Sequence, residues 1–342
     1  MTASSRRLTQ QDIARMAGVS QTTVSLVLNN RADAGTRIPP ETRERVLRVI
    51  RETAYVADPV ARRLADRRNR ILGVFTYEAV FPPGGADFYH PFLLGIEERA
   101  EEAGCDLLLF TGAGVSGPRR IFSAESRVRL ADGCVLLGRT VDRDDLARLL
   151  REGVPFVSVG RRDDAGAPVP YVGADYLPAV RALVERAVDL GHRRLAYLGP
   201  GAGAESSADR LRGFREAVAA TGSGGIRTPT AGRTPDDLLD ELIGAGTTAV
   251  FVEAWADGVA IVRAARRRGV TVPGDLSILA LGVPTRPVRV GFTGFRIPRR
   301  EMGRRAVELL TEVLESGGTP QELLPCEPVD GVTLAPAGCR TR

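Results

Sequence analysis

Gln21, Thr22, Ser25 and Asn29 share the outward side of the stretch QTTVSLVLNN, while Val24, Val27 and Leu28 recur at i, i+3 and i+4 on the other. Amide and hydroxyl groups gathered on one helical face can donate and accept hydrogen bonds to a partner laid against it. One aliphatic residue, Leu26, stands among them. A second group lies in YVADPVARRLADRRNR, residues 55–70, where five arginines crowd positions 62–70 around Leu64. Guanidinium groups at that density suit nucleic-acid phosphates, and an aliphatic side chain beside them can wedge a base step. A solvated basic linker has the same composition.

Catalytic chemistry has weaker support. His90 and His192 are the only histidines, which excludes a histidine-rich metal centre. Cys105, Cys134, Cys326 and Cys339 are scattered without a CxxC pair, so neither a zinc site nor a disulfide framework is expected. Two glycine runs, GAGVSG (112–117) and GPGAGA (199–204), fit dinucleotide fingerprints by spacing alone. Neither lies in the first strand–helix unit with an acid about 20 residues on, so both read as loops. With no GxSxG or HExxH motif and no nucleophile–base arrangement, we expect no enzyme, no metal and no cofactor.

Charge is uneven along the chain. Residues 1–70 carry 14 arginines against 7 acids, a net of +7, while the rest carry 33 against 35, a net of −2. Every basic residue is arginine. A basic N-terminal segment on a near-neutral body is the footprint of a polyanion binder. The 342 residues suit two or three domains. No apolar run reaches the roughly 18 residues of a membrane span, and MTASSRRLTQQ lacks a secretory core. A cytoplasmic protein with no membrane partner is expected.

The elements that must hold the polar face are legible nearby. Thr9 and Asp12 have the spacing of a helix cap and its reciprocal acid, and Ile13, Ala14 and Ala17 share one face. Gly18 ends that helix and Ser20 caps the next. Pro39-Pro40-Glu41 opens a third, with Val46, Leu47, Ile50 and Ala54 as its apolar stripe. This is a helix-turn-helix unit. A helical bundle without a ligand shares the pattern, though the local charge disfavours it.

From Arg70 the rhythm becomes strand–helix: RILGVFTY, PFLLGIEERAEEAG, CDLLLFTG, DGCVLLG, DLARLLREG, VPFVSVG, then a second series from VRALVERAVDLG to LSILALG. Two parallel-sheet α/β lobes are expected, with a ligand in the cleft beyond the strand ends.

LTQQDIARMAGVSQTTVSLVLNN and IPPETRERVLRVIRETAYVADPVARRLA resemble the headpiece of the LacI/GalR family of transcriptional regulators. The intervening RADAGTR is somewhat longer than the family usually has. GIEERAEEAGCDLLL, LGHRRLAYLGP, RLRGFREA and RRRGVTVPGDLSIL extend the resemblance through the body. It implies an α/β fold: an N-terminal helix-turn-helix headpiece and hinge helix, then a two-lobed periplasmic-binding-protein-like core with parallel sheets. The expected division is a headpiece at 1–57 and a hinge at 58–70. The lobes would be 71–170 with about 299–325, and 171–298 with about 326–342.

The implied function is sequence-specific repression by a homodimer, or a tetramer, on double-stranded operator DNA, under control of a small-molecule effector. Gln21 and Thr22 would read base edges, Thr9, Ser20, Thr23, Asn29 and Thr42 would position phosphates, and Leu64 would pry the minor groove. Gln10, Ser25, Leu26, Tyr55 and Ala61 complete the candidate DNA-facing set. The rival reading is an α/β ligand-binding protein or enzyme with an incidental helical N-terminal domain.

The resemblance also places effector contacts. Arg210 stands where members carry an effector-binding arginine, and FYHPF brings Phe88, Tyr89 and Phe92 to the pocket border. His90 reads equally as structural, and His192 as a structural cap. Where sugar-binding members have Asn-Asp, this chain has Ala254-Trp255; where they have Gly-Phe-Asp-Asp, it has Ala280-Leu281-Gly282-Val283. Buried sugar hydroxyls left without these acceptors would each cost roughly 1 to 3 kcal/mol. The expected effector is therefore no ordinary monosaccharide but a more apolar or anionic metabolite, stacked on Trp255, near Gly282, and held by Arg210; a degenerate pocket with no effector is the alternative.

Overall fold

The computed structural model describes residues 8–28, 38–53, 55, 69–78, 88–111, 119–122, 127–200, 203–284 and 290–338. It forms two compact units, one ending at Asn69 and one beginning at Arg70.

In the first unit, α1 (Gln10–Ala17) opens on a complete capping box. Thr9 Oγ1 accepts from the Asp12 backbone N–H at 3.3 Å, and the Asp12 carboxylate accepts from the Thr9 N–H at 3.0 Å. Gly18, at φ 62°, turns the chain in the left-handed region that a side chain would strain. Ser20 Oγ then accepts from the Thr23 N–H at 3.1 Å, starting α2 (Gln21–Leu28). The third helix, α3 (Pro40–Thr53), is tied to the first by Arg45 Nε, which donates to Ala17 O at 2.8 Å. Ile13, Val24 and Val46 are fully buried at the centre, with Ala14, Ala17, Val27 and Tyr55 around them. Val49 joins the expected Leu47 and Ile50 against this core. Asn29, Ala54 and residues 58–68 of the expected hinge, Ala61 and Leu64 included, lie outside the described residues.

The second unit runs β1 (Ile71–Thr76), α4 (His90–Glu102), β2 (Asp106–Phe110), a 3-10 turn (Val128–Leu130), β3 (Gly133–Leu137), α5 (Arg143–Arg151), β4 (Phe156–Val159) and β5 (Tyr171–Asp175). There follow α6 (Tyr176–Asp189), β6 (Arg194–Leu198), α7 (Glu205–Thr221), β7 (Gly224–Thr228), α8 (Pro235–Gly244), β8 (Ala249–Val252), α9 (Trp255–Arg267), β9 (Ser277–Val283) and β10 (Thr293–Arg296). The described chain closes with α10 (Arg299–Ser316), β11 (Gln321–Pro325) and β12 (Glu327–Val329).

The strands form two six-stranded sheets of matching order, β2-β1-β3-β4-β5-β11 and β7-β6-β8-β9-β10-β12. All pairs are parallel except β10 with β12. Sheets covered on both faces need apolar runs rather than alternation, and β3, β4 and β8 are buried throughout. Each sheet reverses its winding beside its first strand, so a crevice opens at the carboxyl ends of neighbouring strands. The expected lobe boundary at residue 170 falls one strand early: β5 lies between β4 and β11, so the first lobe runs through Asp175. A single parallel strand carries no local marker of the sheet it joins, so the sequence does not show on which side of the boundary β5 falls.

The chain passes between lobes three times, from β5 directly into α6, from β10 to α10, and from β11 to β12. Helices α4 and α10 cross closely through Gly95 and Gly303; a Cβ on either would collide with the facing backbone at Arg300 O or Phe92 O. No described helix is long and apolar enough to cross a membrane.

Candidate functional site

Two sites can be assembled, one in each unit. On the headpiece, Gln21 and Thr22 are exposed at the first turn of α2, and Ser25 and Leu26 are half-buried one turn on. Val24 and Val27 hold the opposite side against the core, which fixes the direction of the polar face. Leu26 is not among the described residues packed on that core. Gln10 and Thr42 are half-buried at the starts of α1 and α3. Thr9, Ser20 and Thr23 use their hydroxyls locally: Thr9 Oγ1 donates to the Asp12 carboxylate at 2.7 Å, and Ser20 Oγ lies 2.9 Å from Thr23 Oγ1. The starts of α1 and α2 are helix N-termini of the kind that suits phosphate oxygens, and the N–H groups of Thr9 and Thr23 are themselves bound within the caps. Tyr55, placed in the DNA-facing set, is buried in the headpiece core, because it closes the end of the bundle below Ile50.

In the second unit a shallow cleft, open to solvent, lies between the lobes. One wall is the start of α4, with Phe88, Tyr89 and Phe92. Phe88 meets Tyr89 edge-on at 5.0 Å and Phe92 at 5.7 Å. The floor is made by Gly138 and Arg139 after β3 and by Gly160, Arg161 and Arg162 after β4, as the switch-point rule requires. Tyr176 and Ser206 come from the second lobe and Met302 from α10.

Charge in this cleft is arranged in pairs that span the lobes. Arg162 is 4% exposed and donates to Gly138 O at 2.6 Å, Ser158 Oγ at 3.0 Å and Glu205 Oε2 at 2.9 Å. Burial pushes its guanidinium pKa down, and the Glu205 carboxylate opposes that shift. Arg161 clamps Asp209 with Nε at 2.7 Å and Nη2 at 3.0 Å, and these bonds hold its guanidinium above the usual range. Glu78 accepts from the Tyr89 hydroxyl at 2.8 Å, and burial together with that carboxylate raises the phenol.

Arg210 sits one layer behind the cleft. Its Cζ lies 3.9 Å from the Tyr176 ring centroid, Nε donates to Leu281 O at 2.9 Å and Nη1 to Ser206 O at 3.0 Å. Glu253 approaches it only to 4.0 Å, because its carboxylate accepts from Tyr197 Oη at 2.5 Å and from Ser207 Oγ. Gly282 lies beside Arg210, where a Cβ would stand 3.9 Å from Nη2. Trp255 does not line this cleft. Its indole meets Phe292 edge-on at 6.5 Å against the second-lobe core, and its buried Nε1 has no hydrogen-bond partner among the described residues. The expected stacking platform is thus occupied by core packing. The aromatic surface in the cleft is Phe88, Tyr89, Phe92 and Tyr176 instead.

The remaining candidates are placed plainly. His192 is buried: its Nε2 lies 2.9 Å from Ala335 O and its Nδ1 3.0 Å from Thr248 Oγ1, while His90 is exposed at the start of α4. Of the glycine runs, GAGVSG lies outside the described residues, and the described part of GPGAGA forms the loop between β6 and α7. Sequence reasoning missed Arg139, Arg161, Arg162, Tyr176 and Ser206. The available signal was the pair Arg161-Arg162 directly after the strand VPFVSVG, since the carboxyl end of a parallel strand is where ligand contacts gather.

Residues 9–58 match the family model described as bacterial regulatory proteins, lacI family. Residues 184–334 match that of the periplasmic binding protein-like domain. The HTH-type transcriptional regulator CelR of Thermobifida fusca is 32% identical over 325 residues, covering 90% of this chain and 92% of its own. Catabolite control protein A of Priestia megaterium is 25% identical over 320 residues, with 90% and 92% covered. Among solved structures, a CelR–cellobiose complex aligns with a TM-score of 0.61 at 27% identity, over 96% of this chain and 100% of that one. The lac repressor dimer bound to operator and the anti-inducer ONPF aligns with a TM-score of 0.76 over 96% and 100%; at 22% identity it speaks for the fold.

Proposed function

The chain belongs to the LacI family of bacterial regulatory proteins and is a DNA-binding transcriptional regulator rather than an enzyme, and from that membership we propose a homodimeric repressor that reads operator DNA through α2. The observation that carries this reading is local. A capped α1, the left-handed Gly18 and a Ser20-capped α2 present Gln21 and Thr22 to solvent while Val24 and Val27 hold the helix down. An amide and a hydroxyl on the first turn of a recognition helix are the groups that distinguish bases in a major groove. Thr9, Gln10, Ser20, Thr23 and Thr42 then set the register on phosphates, and Leu26 touches a base edge without a hydrogen bond. The net +7 of residues 1–70 supplies the sequence-independent attraction.

The inter-lobe cleft holds the effector. Support comes from its place at the strand ends and from walls drawn from both lobes, so that a bound molecule changes how the lobes meet. Phe88, Tyr89 and Phe92 form its apolar wall, and Arg210 with Gly282 backs the second-lobe side.

A gel shift with DNA flanking the protein's own gene tests the reading. Specific retardation that survives competitor DNA is expected, with affinity falling steeply as salt rises. Gln21→Ala should lower specific affinity while leaving binding to competitor DNA unchanged. Equal loss on both DNAs would remove Gln21 from base reading, and absence of specific retardation would overturn repression at this locus.

A further inference from the structure

Arg299 occupies the first position of α10, where the chain returns from the second lobe to the first. Its Nε is buried and has no hydrogen-bond partner among the described residues. The groups that act most on its charge are Tyr176, Arg210, Arg139 and Cys326, none of them a carboxylate, and burial depresses its guanidinium pKa. The other arginines of this region differ. Arg161 has Asp209, Arg162 has Glu205, Arg139 faces Glu78 at 4.0 Å and Arg210 faces Glu253 at 4.0 Å. Arg299 is half-buried, and a guanidinium whose Nε is shut from water without a partner among the described residues is costly, so its retention asks for a counter-charge.

Three guanidiniums converge on two rings of the cleft wall. Arg139 and Arg299 lie 4.7 and 5.1 Å from the Phe88 centroid, and Arg210 lies 3.9 Å from that of Tyr176. Phe88 and Tyr176 both line the cleft. Arg139 and Arg299 belong to the first lobe, Arg210 and Tyr176 to the second.

We propose that the cleft takes an anionic effector, a small molecule bearing a phosphate or carboxylate, and that Arg299 is the specificity residue that receives its acid group beside Arg210 and Tyr176. This rests on the cleft being the effector site. A planar guanidinium suits either acid, because both offer paired oxygens to its fork of N–H donors. Because the guanidiniums come from both lobes, the same anion draws the lobes together. It thereby supplies the differential binding that an effector needs to shift a conformational equilibrium.

Titration calorimetry on the intact protein, at fixed ionic strength, tests the assignment with glucose 6-phosphate, gluconate, inorganic phosphate, acetate, glucose and cellobiose. We expect at least one acid to bind and both neutral sugars to be silent; whether phosphates or carboxylates bind names the acid group. Arg299→Gln should weaken that binding roughly tenfold or more, and Arg299→Lys should restore part of it. Binding of glucose or cellobiose equally to wild type and Arg299→Gln, with the acids silent, overturns the anionic class and leaves the effector cleft standing. Silence from all six overturns both. A second readout needs no ligand: Arg299→Met should raise the melting temperature by removing an unpaired charge. A fall would make Arg299 a structural residue and sink the proposal.

Discussion

The Arg162 guanidinium of the first lobe and the Glu205 carboxylate of the second meet at 2.9 Å, and Arg162 is almost wholly buried there. Glu205→Gln leaves that charge without its counter-ion. Removing one partner of a buried pair costs about 3 kcal/mol or more, and partial exposure of Glu205 puts this case at the lower end. Urea denaturation of the intact protein should show a lower midpoint with little change in slope. An unchanged midpoint would mean that water already screens the pair.

Leu26 faces neither the headpiece core nor open solvent, and its neighbours Gln21 and Thr22 are the exposed reading groups. Leu26→Arg should shift base preference toward guanine at one half-site position by about 1 to 3 kcal/mol, the usual worth of a bidentate contact. Selection of bound fragments from a randomised half-site measures this. Preference that stays the same places Leu26 away from the groove.

Gly303 lets α10 lie against the backbone of α4 at Phe92. Gly303→Ala should destabilise the core by about 2 kcal/mol, since an added methyl must push two helices apart. Thermal unfolding followed by far-ultraviolet circular dichroism reads the loss. A change within error would show that the helices separate freely.

His192 is buried between Thr248 and Ala335, and a carbonyl can only accept, so Nε2 carries the proton and Nδ1 accepts from the Thr248 hydroxyl. Burial lowers its pKa below the ordinary 6.5. The unfolded chain then binds a proton that the folded one refuses. Its contribution to stability is present above about pH 6.5 and is lost as pH falls toward the folded value. Denaturation midpoints of wild type should decline through that window more than those of His192→Gln. Parallel declines would place His192 in contact with water.

Much of the headpiece was legible because its signals are local. Thr9 and Asp12 are three residues apart, Gly18 is the residue that a left-handed turn selects, and the Val24–Val27 face follows from helical period. The lobes were legible as alternation, and the membership of β5 was not, because strand pairing is set by partners far along the chain. In the cleft, Phe88 and its neighbours came from a contiguous FYHPF. Arg162 and Arg299 did not stand out, since arginine is this chain's sole basic residue and 47 are present. What distinguishes them is the presence of Glu205 43 residues away in one case and, in the other, that no carboxylate is among the described groups acting most on the charge. Trp255 was misplaced for a related reason: a tryptophan after a strand suits a ligand or a core equally, and Phe292, 37 positions on, decides for the core.

The three passages between lobes also bear on the order of synthesis. The first lobe begins at Ile71, yet its sheet lacks an edge strand until Pro325 and its α4 lacks a partner until α10 is made. A nascent chain that has completed β5 must therefore wait through about 150 further residues, on the order of ten seconds at typical elongation rates, before that lobe can close. Through that interval the flank of β5 and the apolar side of α4 are open to whatever else the ribosome exit presents. A chain cut short at residue 298 would carry a first lobe that never finishes.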